Sequence, residues 1–190
     1  MAKFFGNLHL VLVVGLLIAL SVMFGYAENV PVTVNSVFRW LHVFFGILWI
    51  GLLYYLNFVQ VPTMPAIPAE QKGAITGHIA PKVFFFFRWS ALLTVITGLV
   101  VAYVSGYVHE ALSFQGAGPV NLIGLGMWMA LIMAFNVWFI IWPAQKKILG
   151  IVEATAEEKA AAAPRALAAS RTNLLLSIPM LYAMVSANLG

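Results

Sequence analysis

Five stretches, at roughly 8–27, 37–61, 83–107, 121–142 and 172–188, each run for about twenty residues with almost no charge. A bilayer core about 30 Å thick is crossed by about 20 apolar residues of helix, because lipid offers no partner for an unpaired backbone N–H or C=O. The pattern predicts an all-α integral membrane protein, a single domain over 1–190 built as a bundle of five transmembrane helices. Of the residues, 63% are hydrophobic and 8% charged, which excludes a soluble fold. The first stretch follows Lys3 and ends at Gly25-Tyr26-Ala27, where a secretory signal would be cleaved. With Met1 present, it is read as a retained helix.

Loop charge sets the orientation. One end of the bundle carries the N-terminus and the 62–82 and 143–171 loops. It holds Lys3, Lys72, Lys82, Arg88, Lys146, Lys147, Lys159, Arg165 and Arg171, whereas the other end holds Arg39 alone. The positive-inside rule then predicts a cytoplasmic N-terminus, a cytoplasmic 143–171 segment and an outside C-terminus. The net charge of +4 is too sparse for the basic stripe of a nucleic-acid binder, so the expected surrounding partner is the lipid bilayer. The absence of cysteine excludes disulfides, a thiolate nucleophile, cysteine-held zinc or iron-sulfur clusters and a CxxCH haem attachment.

Thr94, Gly98, Ala102 and Gly106 repeat every four residues, a small-residue stripe that predicts a close helix–helix contact. Pro179 predicts a kink or a freed carbonyl near Leu175 in the fifth stretch. The 62–81 segment, with Pro62, Pro65, Pro68, Gly73 and Gly77, predicts an irregular rigid connection. The alanine-rich 151–170 segment, with Glu153, Glu157, Glu158 and Lys159, predicts a cytoplasmic helix broken at Pro164.

The four histidines fall at two levels, His9 and His78 toward the cytoplasm, His42 and His109 toward the outside. His42 is the one clearly inside a span, about 7 Å below its outer end at ~1.5 Å per residue. Gly46, one turn deeper on the same face, leaves flat space beside the imidazole, and Arg39 faces the same way toward the headgroups. An imidazole for iron, a glycine against a macrocycle and an arginine for a propionate are the parts of a haem site. His109 reaches the same surface if the third helix persists past Tyr107, and is then the candidate second ligand. The competing reading makes His42 a hydrogen-bonding bundle residue and His109 a surface residue beside Glu110.

A second constellation lies toward the cytoplasm. Asn57 and Gln60 close the second stretch, Arg88 and Trp89 lie inside the third, Asn136 is at a matching depth of the fourth, and Arg171, Thr172 and Asn173 open the fifth. An arginine within a span needs acceptors, a polar cavity or a route to the surface. Either these residues form an interhelical hydrogen-bond network with Arg88 reaching to lipid phosphate, or Arg88, Asn136, Arg171 and Asn173, with His78 over the mouth, bind an anionic or planar polar molecule.

At Arg39-Trp40-Leu41-His42, with Gly46, Trp49, Ile50, Gly51 and Tyr54-Tyr55-Leu56-Asn57-Phe58, the chain resembles the membrane domain of the bacterial cytochrome c-linked urate oxidase (urate hydroxylase) family. The resemblance extends through His78-Ile79-Ala80-Pro81, Phe87-Arg88-Trp89, Phe135-Asn136-Val137-Trp138, Ile141-Trp142-Pro143, Gln145-Lys146-Lys147, Ser170-Arg171-Thr172-Asn173 and Ser177-Ile178-Pro179-Met180. The second stretch is more distantly similar to helices of membrane proteins that bind haem b, including bacterial protoporphyrinogen oxidases.

The resemblance implies an oxidoreductase domain in the bacterial inner membrane that oxidises urate and passes electrons to cytochrome c at the outer face. The chain contains no CxxCH, so the expectation is a haem b protein that hands electrons to a separate cytochrome c or other membrane subunit. The alternative is a non-catalytic accessory subunit of a larger respiratory or monooxygenase-type complex.

Overall fold

The computed structural model of the chain describes residues 2–187, and among these the secondary structure is entirely helical. Two units separate, Met1–Val37 and Phe38–Gly190. In the first, a short helical turn at Ala2–Phe5 precedes α1, Leu8–Gly25. Asn7 starts α1 by accepting the backbone N–H of Leu10 at 3.1 Å. The helix is apolar on every side and buries none of its residues, the pattern of a helix whose solvent is lipid. Toward the end of this unit Thr33 and Ser36 cap the next helix reciprocally, Ser36 N–H donating to Thr33 Oγ1 at 3.1 Å and Thr33 N–H to Ser36 Oγ at 2.9 Å.

The second unit contains most of α2, Val34–Ala66, then α3, Ala69–Val104, α4, Val108–Ser113, α5, Gly118–Ile148, and α6, Ala156–Ser186. Its core joins α2, α3, α5 and α6 through Trp49, Leu53, Phe87, Ala91, Met133, Val137, Met180 and Ala183. Four helices, α1, α2, α3 and α5, are long and apolar enough to cross a membrane. The expected fifth span, 172–188, falls in the second half of α6, which does not reach that mark. Arg171, Asn173 and Ser177 lower its hydropathy, and the last two are completely buried against the other helices. Residue 188 of that stretch lies outside the described residues.

The prolines shape this unit differently from expectation. The 62–81 connection is almost wholly helical, and the break between α2 and α3 is Ile67-Pro68 alone. Ile67 is extended, with φ −81° and ψ 130°, the conformation that a following proline imposes. Three stretches within the long helices have π geometry, Tyr55–Gln60, Ile75–Ile79 and Asn136–Ile141. Each ends two residues before a proline: Pro62, Pro81 and Pro143.

A proline ring clashes with the carbonyl four residues back, here that of Phe58, Gly77 or Phe139. The wider turn carries that carbonyl aside. The residue before each proline accordingly bonds five residues back, Val61 to Leu56, Ala80 to Ile75 and Trp142 to Val137. The helices therefore run on where a stop is expected.

α6 also continues unbroken through Pro164 and Pro179. At Pro164 the lost hydrogen bond lies in an alanine-rich, largely exposed segment with strong helix propensity, and the start is fixed by a capping box between Thr155 and Glu158.

α3, by contrast, stops short of His109. Gly106 adopts φ +81°, its N–H bonds Tyr103 O at 3.0 Å, and Tyr107 N–H bonds Ala102 O at 3.1 Å. This is a left-handed Schellman stop. Gly106 is thus a helix terminator, while Thr94, Gly98 and Ala102 of the same stripe make the packing contacts.

Candidate functional site

A cavity of about 690 Å³ opens within the second unit, walled by α2, α3, α5 and α6 with Tyr107 at its edge. Its polar members are few: Arg39, His42, Trp49, Tyr54, Thr94 and Tyr107.

His42 is held from α3. Its Nδ1 lies 2.8 Å from the Thr94 backbone oxygen, a group that can only accept. In the neutral imidazole the proton therefore sits on Nδ1, and Nε2 keeps its lone pair. Thr97 Oγ1, which donates to Leu93 O at 2.6 Å, lies 3.5 Å from the same Nδ1. The ring rests on Gly98 so closely that a Cβ there would come within 2.7 Å of His42 Cε1 and 2.9 Å of Nδ1.

Gly46 differs. A Cβ added there would meet only Thr94 Cγ2, at 3.9 Å, so the space beside it belongs to the cavity. At one end of the cavity Tyr107, just past the close of α3, stands near enough to Arg39 to feel its charge. Deeper in the wall, Trp49 is 1% exposed and its Nε1–H has no acceptor among the described residues. A buried donor of this kind in a cavity wall calls for an acceptor on an occupant or for water. Tyr54 forms part of the floor, its hydroxyl 3.2 Å from Ser177 Oγ.

His42, Arg39 and Gly46 therefore line one cavity, whereas His109 does not. It is exposed on α4, beyond the Gly106 turn. Among the described residues no group of three or more His, Cys, Asp or Glu side chains is placed to hold a bare metal ion.

The second constellation separates into parts. Asn136 donates to Asn173 Oδ1 at 2.9 Å, and Asn173 donates to Met133 O at 3.0 Å, a clasp between α5 and α6. Asn57 donates to Leu53 O and to Ser170 Oγ, both at 2.9 Å, which ties α2 to α6. Arg88 stacks its guanidinium 3.9 Å above the Trp142 ring and 5.3 Å from that of Phe85, and donates to Phe84 O at 3.3 Å. Trp138 Nε1–H in turn donates to Arg88 O at 3.0 Å.

His78 and Arg171 are exposed, on α3 and α6. Of the five residues assigned to an anion pocket, the structure joins Asn136 to Asn173, and none of the hydrogen bonds among the described residues connects Arg88, His78 or Arg171 to that pair.

Sequence reasoning missed the α5 and α6 side of the cavity, with Ile123, Met127, Leu131, Met180 and Met184. The spacing of Met180 and Met184, one turn apart on α6, was the available signal. It also missed the Thr94 carbonyl, for which the sequence carries none.

The sequence profile of the urate oxidase N-terminal family matches residues 91–190. No curated protein and no solved structure matches the chain. The matched region supplies the C-terminal part of α3 against His42, then α4, α5 and α6, and so all of the cavity wall except α2. Covering more than half of the chain, the match shows that this protein belongs to the urate oxidase N-terminal family.

Proposed function

We propose that the chain is a haem-b-binding integral membrane redox protein, similar to the membrane domain of the cytochrome c-linked urate oxidases, which passes electrons to a separate cytochrome c or membrane subunit. The observation that carries this reading is the fixed tautomer of His42. Ligating histidines characteristically donate their second ring N–H to a carbonyl or carboxylate, which orients the ring and raises the basicity of the other nitrogen. His42 does this through Thr94 O, in the wall of a cavity whose volume lies in the ~300–1,000 Å³ range of cofactor and ligand pockets.

The other residues fit the same group. Gly46 leaves room for a flat macrocycle, Arg39 stands at the mouth where propionates would lie, and the apolar wall suits a porphyrin face. Trp49 Nε1–H offers a hydrogen bond to a polar edge. When bound, haem would supply one-electron transfer. The protein's own part is to hold the ring nitrogen, exclude water and set the local polarity.

The topology that goes with this proposal has α6 as a fifth span, the N-terminus in the cytoplasm and the C-terminus outside the bacterial inner membrane. Arg88 and the asparagine clasp then serve as interhelical tethers at the cytoplasmic half.

Haem extraction from the purified protein tests the reading. The expected result is protoporphyrin-type haem in near-stoichiometric amount, largely lost in His42→Ala. A colourless protein that purifies only with other chains would instead support the second reading, an accessory subunit. The feature favouring that reading is α1, an apolar helix with no buried residue, which could pack against a neighbouring subunit.

A further inference from the structure

An iron held by His42 has a second axial position, and the cavity wall restricts what can fill it. Besides His42, the lining side chains with a donor atom suited to iron are Tyr54, Tyr107, Met127, Met180 and Met184. The Tyr54 hydroxyl is engaged with Ser177. Tyr107, packed against the cluster that contains Met127, would have to bind as a charged phenolate, which a low-dielectric bundle disfavours. His109 is cut off from the cavity by the Gly106 turn. Among the protein side chains of the lining, only thioethers are left, with water as the competing ligand.

Depth narrows the choice further. Met127 is buried in a cluster against which Leu99 and Met184 pack, and Leu99 follows Gly98, the residue on which the His42 ring rests. Met127 and Met184 thus pack in the cluster of the residue next to Gly98, whereas Met180, a turn of α6 away, is buried in the central core, which Met184 also touches. A thioether carries no charge and needs no deprotonation, so it is a ligand that a low-dielectric bundle can accommodate.

Resting on the haem reading, we propose that a thioether from Met127 or Met184 is the second axial ligand to an iron held by His42. Histidine–methionine ligation raises the reduction potential relative to ligation by nitrogen alone, because the soft sulfur favours the reduced metal. The cavity would then hold a comparatively oxidising haem, suited to accepting electrons.

Near-infrared absorbance and magnetic circular dichroism of the ferric protein read the ligand directly, through the weak charge-transfer band that methionine-bound low-spin haem displays. Three single variants, Met127→Leu, Met184→Leu and Met180→Leu, keep side-chain volume close to the original and so spare the fold. The expected result is that the band is present in the parent protein and in Met180→Leu. It is expected to be lost in one of the other two, together with a fall in midpoint potential and a shift toward high spin.

A parent protein with a haem Soret band but no methionine signature would overturn this proposal while leaving the haem reading intact. So would a signature that survives in Met127→Leu/Met184→Leu. A parent protein with no Soret band would overturn both.

Discussion

The contact between Gly98 and His42 lends itself to a quantitative test. In Gly98→Ala the new Cβ would sit 2.7 Å from His42 Cε1, so the ring must retreat by about 0.7 Å to recover ordinary contact. It is tethered on the same side by the 2.8 Å bond from Nδ1 to Thr94 O, and the retreat stretches that bond beyond useful range.

Overpacking a fitted site costs about 1–3 kcal/mol and loss of the hydrogen bond about 1 kcal/mol, while replacing a mid-helix glycine by alanine returns about 0.5–1 kcal/mol. The net is a loss of about 2 kcal/mol, or about 4–8 °C in the thermal midpoint of a chain this size. Thermal unfolding in detergent and haem content are the two readouts, and both are expected to fall.

Gly46→Ala is the control. Its Cβ meets nothing closer than 3.9 Å, so the thermal midpoint of the haem-free protein should rise by the equivalent of about 0.5–1 kcal/mol while haem content drops, because the methyl group occupies cavity space. Unchanged stability and haem content in Gly98→Ala would refute the seating of His42 on α3.

Asn173→Leu is expected to cost about 1–3 kcal/mol, since it removes the partner of Asn136 and leaves the Asn136 amide buried without an acceptor. Asn136→Leu/Asn173→Leu should recover part of that loss in the same unfolding assay. At the α6 start, the hydrogen bond from Lys147 holds the Glu158 carboxyl below its usual range, helped by the Thr155 backbone N–H. A depressed carboxyl contributes stability above its unfolded pKa and loses it as pH falls through the folded value. The protection factors of residues 155–160, with the intrinsic exchange rate at each pH divided out, should therefore fall on acidification below the ordinary carboxylate range, and Glu158→Gln should remove most of that dependence. Arg88→Leu should lower the thermal midpoint by the equivalent of about 1 kcal/mol, in a way insensitive to salt, because the guanidinium stacks on Trp142 and is not paired with an anion.

Of the five spans expected from hydropathy, four fall in helices long and apolar enough to cross a membrane and the fifth does not reach that mark, and the ends were misplaced because hydropathy treats proline as a stop. Pro62, Pro81 and Pro143 each follow a π turn that absorbs the clash, an accommodation that depends on tertiary packing as well as local sequence. His42 was legible as an in-span imidazole with Gly46 beneath it. Its orientation by Thr94 O was not, because that contact crosses 52 residues of chain. Gly106 was read as one more small residue in a stripe, although the same letter also marks a helix C-terminus. The second sense applies here, and it removes His109 from the cavity. Arg88 illustrates the converse. Its depth was evident, but its partners were sought in a hydrogen-bond network, lipid phosphate or an anionic ligand, whereas the rings of Phe85 and Trp142 and the Phe84 carbonyl meet it.

The central claim, that Nε2 of His42 is the nitrogen on which iron is held, is tested most directly by chemical rescue. In His42→Gly, the optical spectrum of the purified protein is expected to lose its Soret band, and free imidazole added with haem is expected to restore it. A variant that retains the full parent spectrum without imidazole, or a parent protein that never shows a Soret band, would contradict the claim.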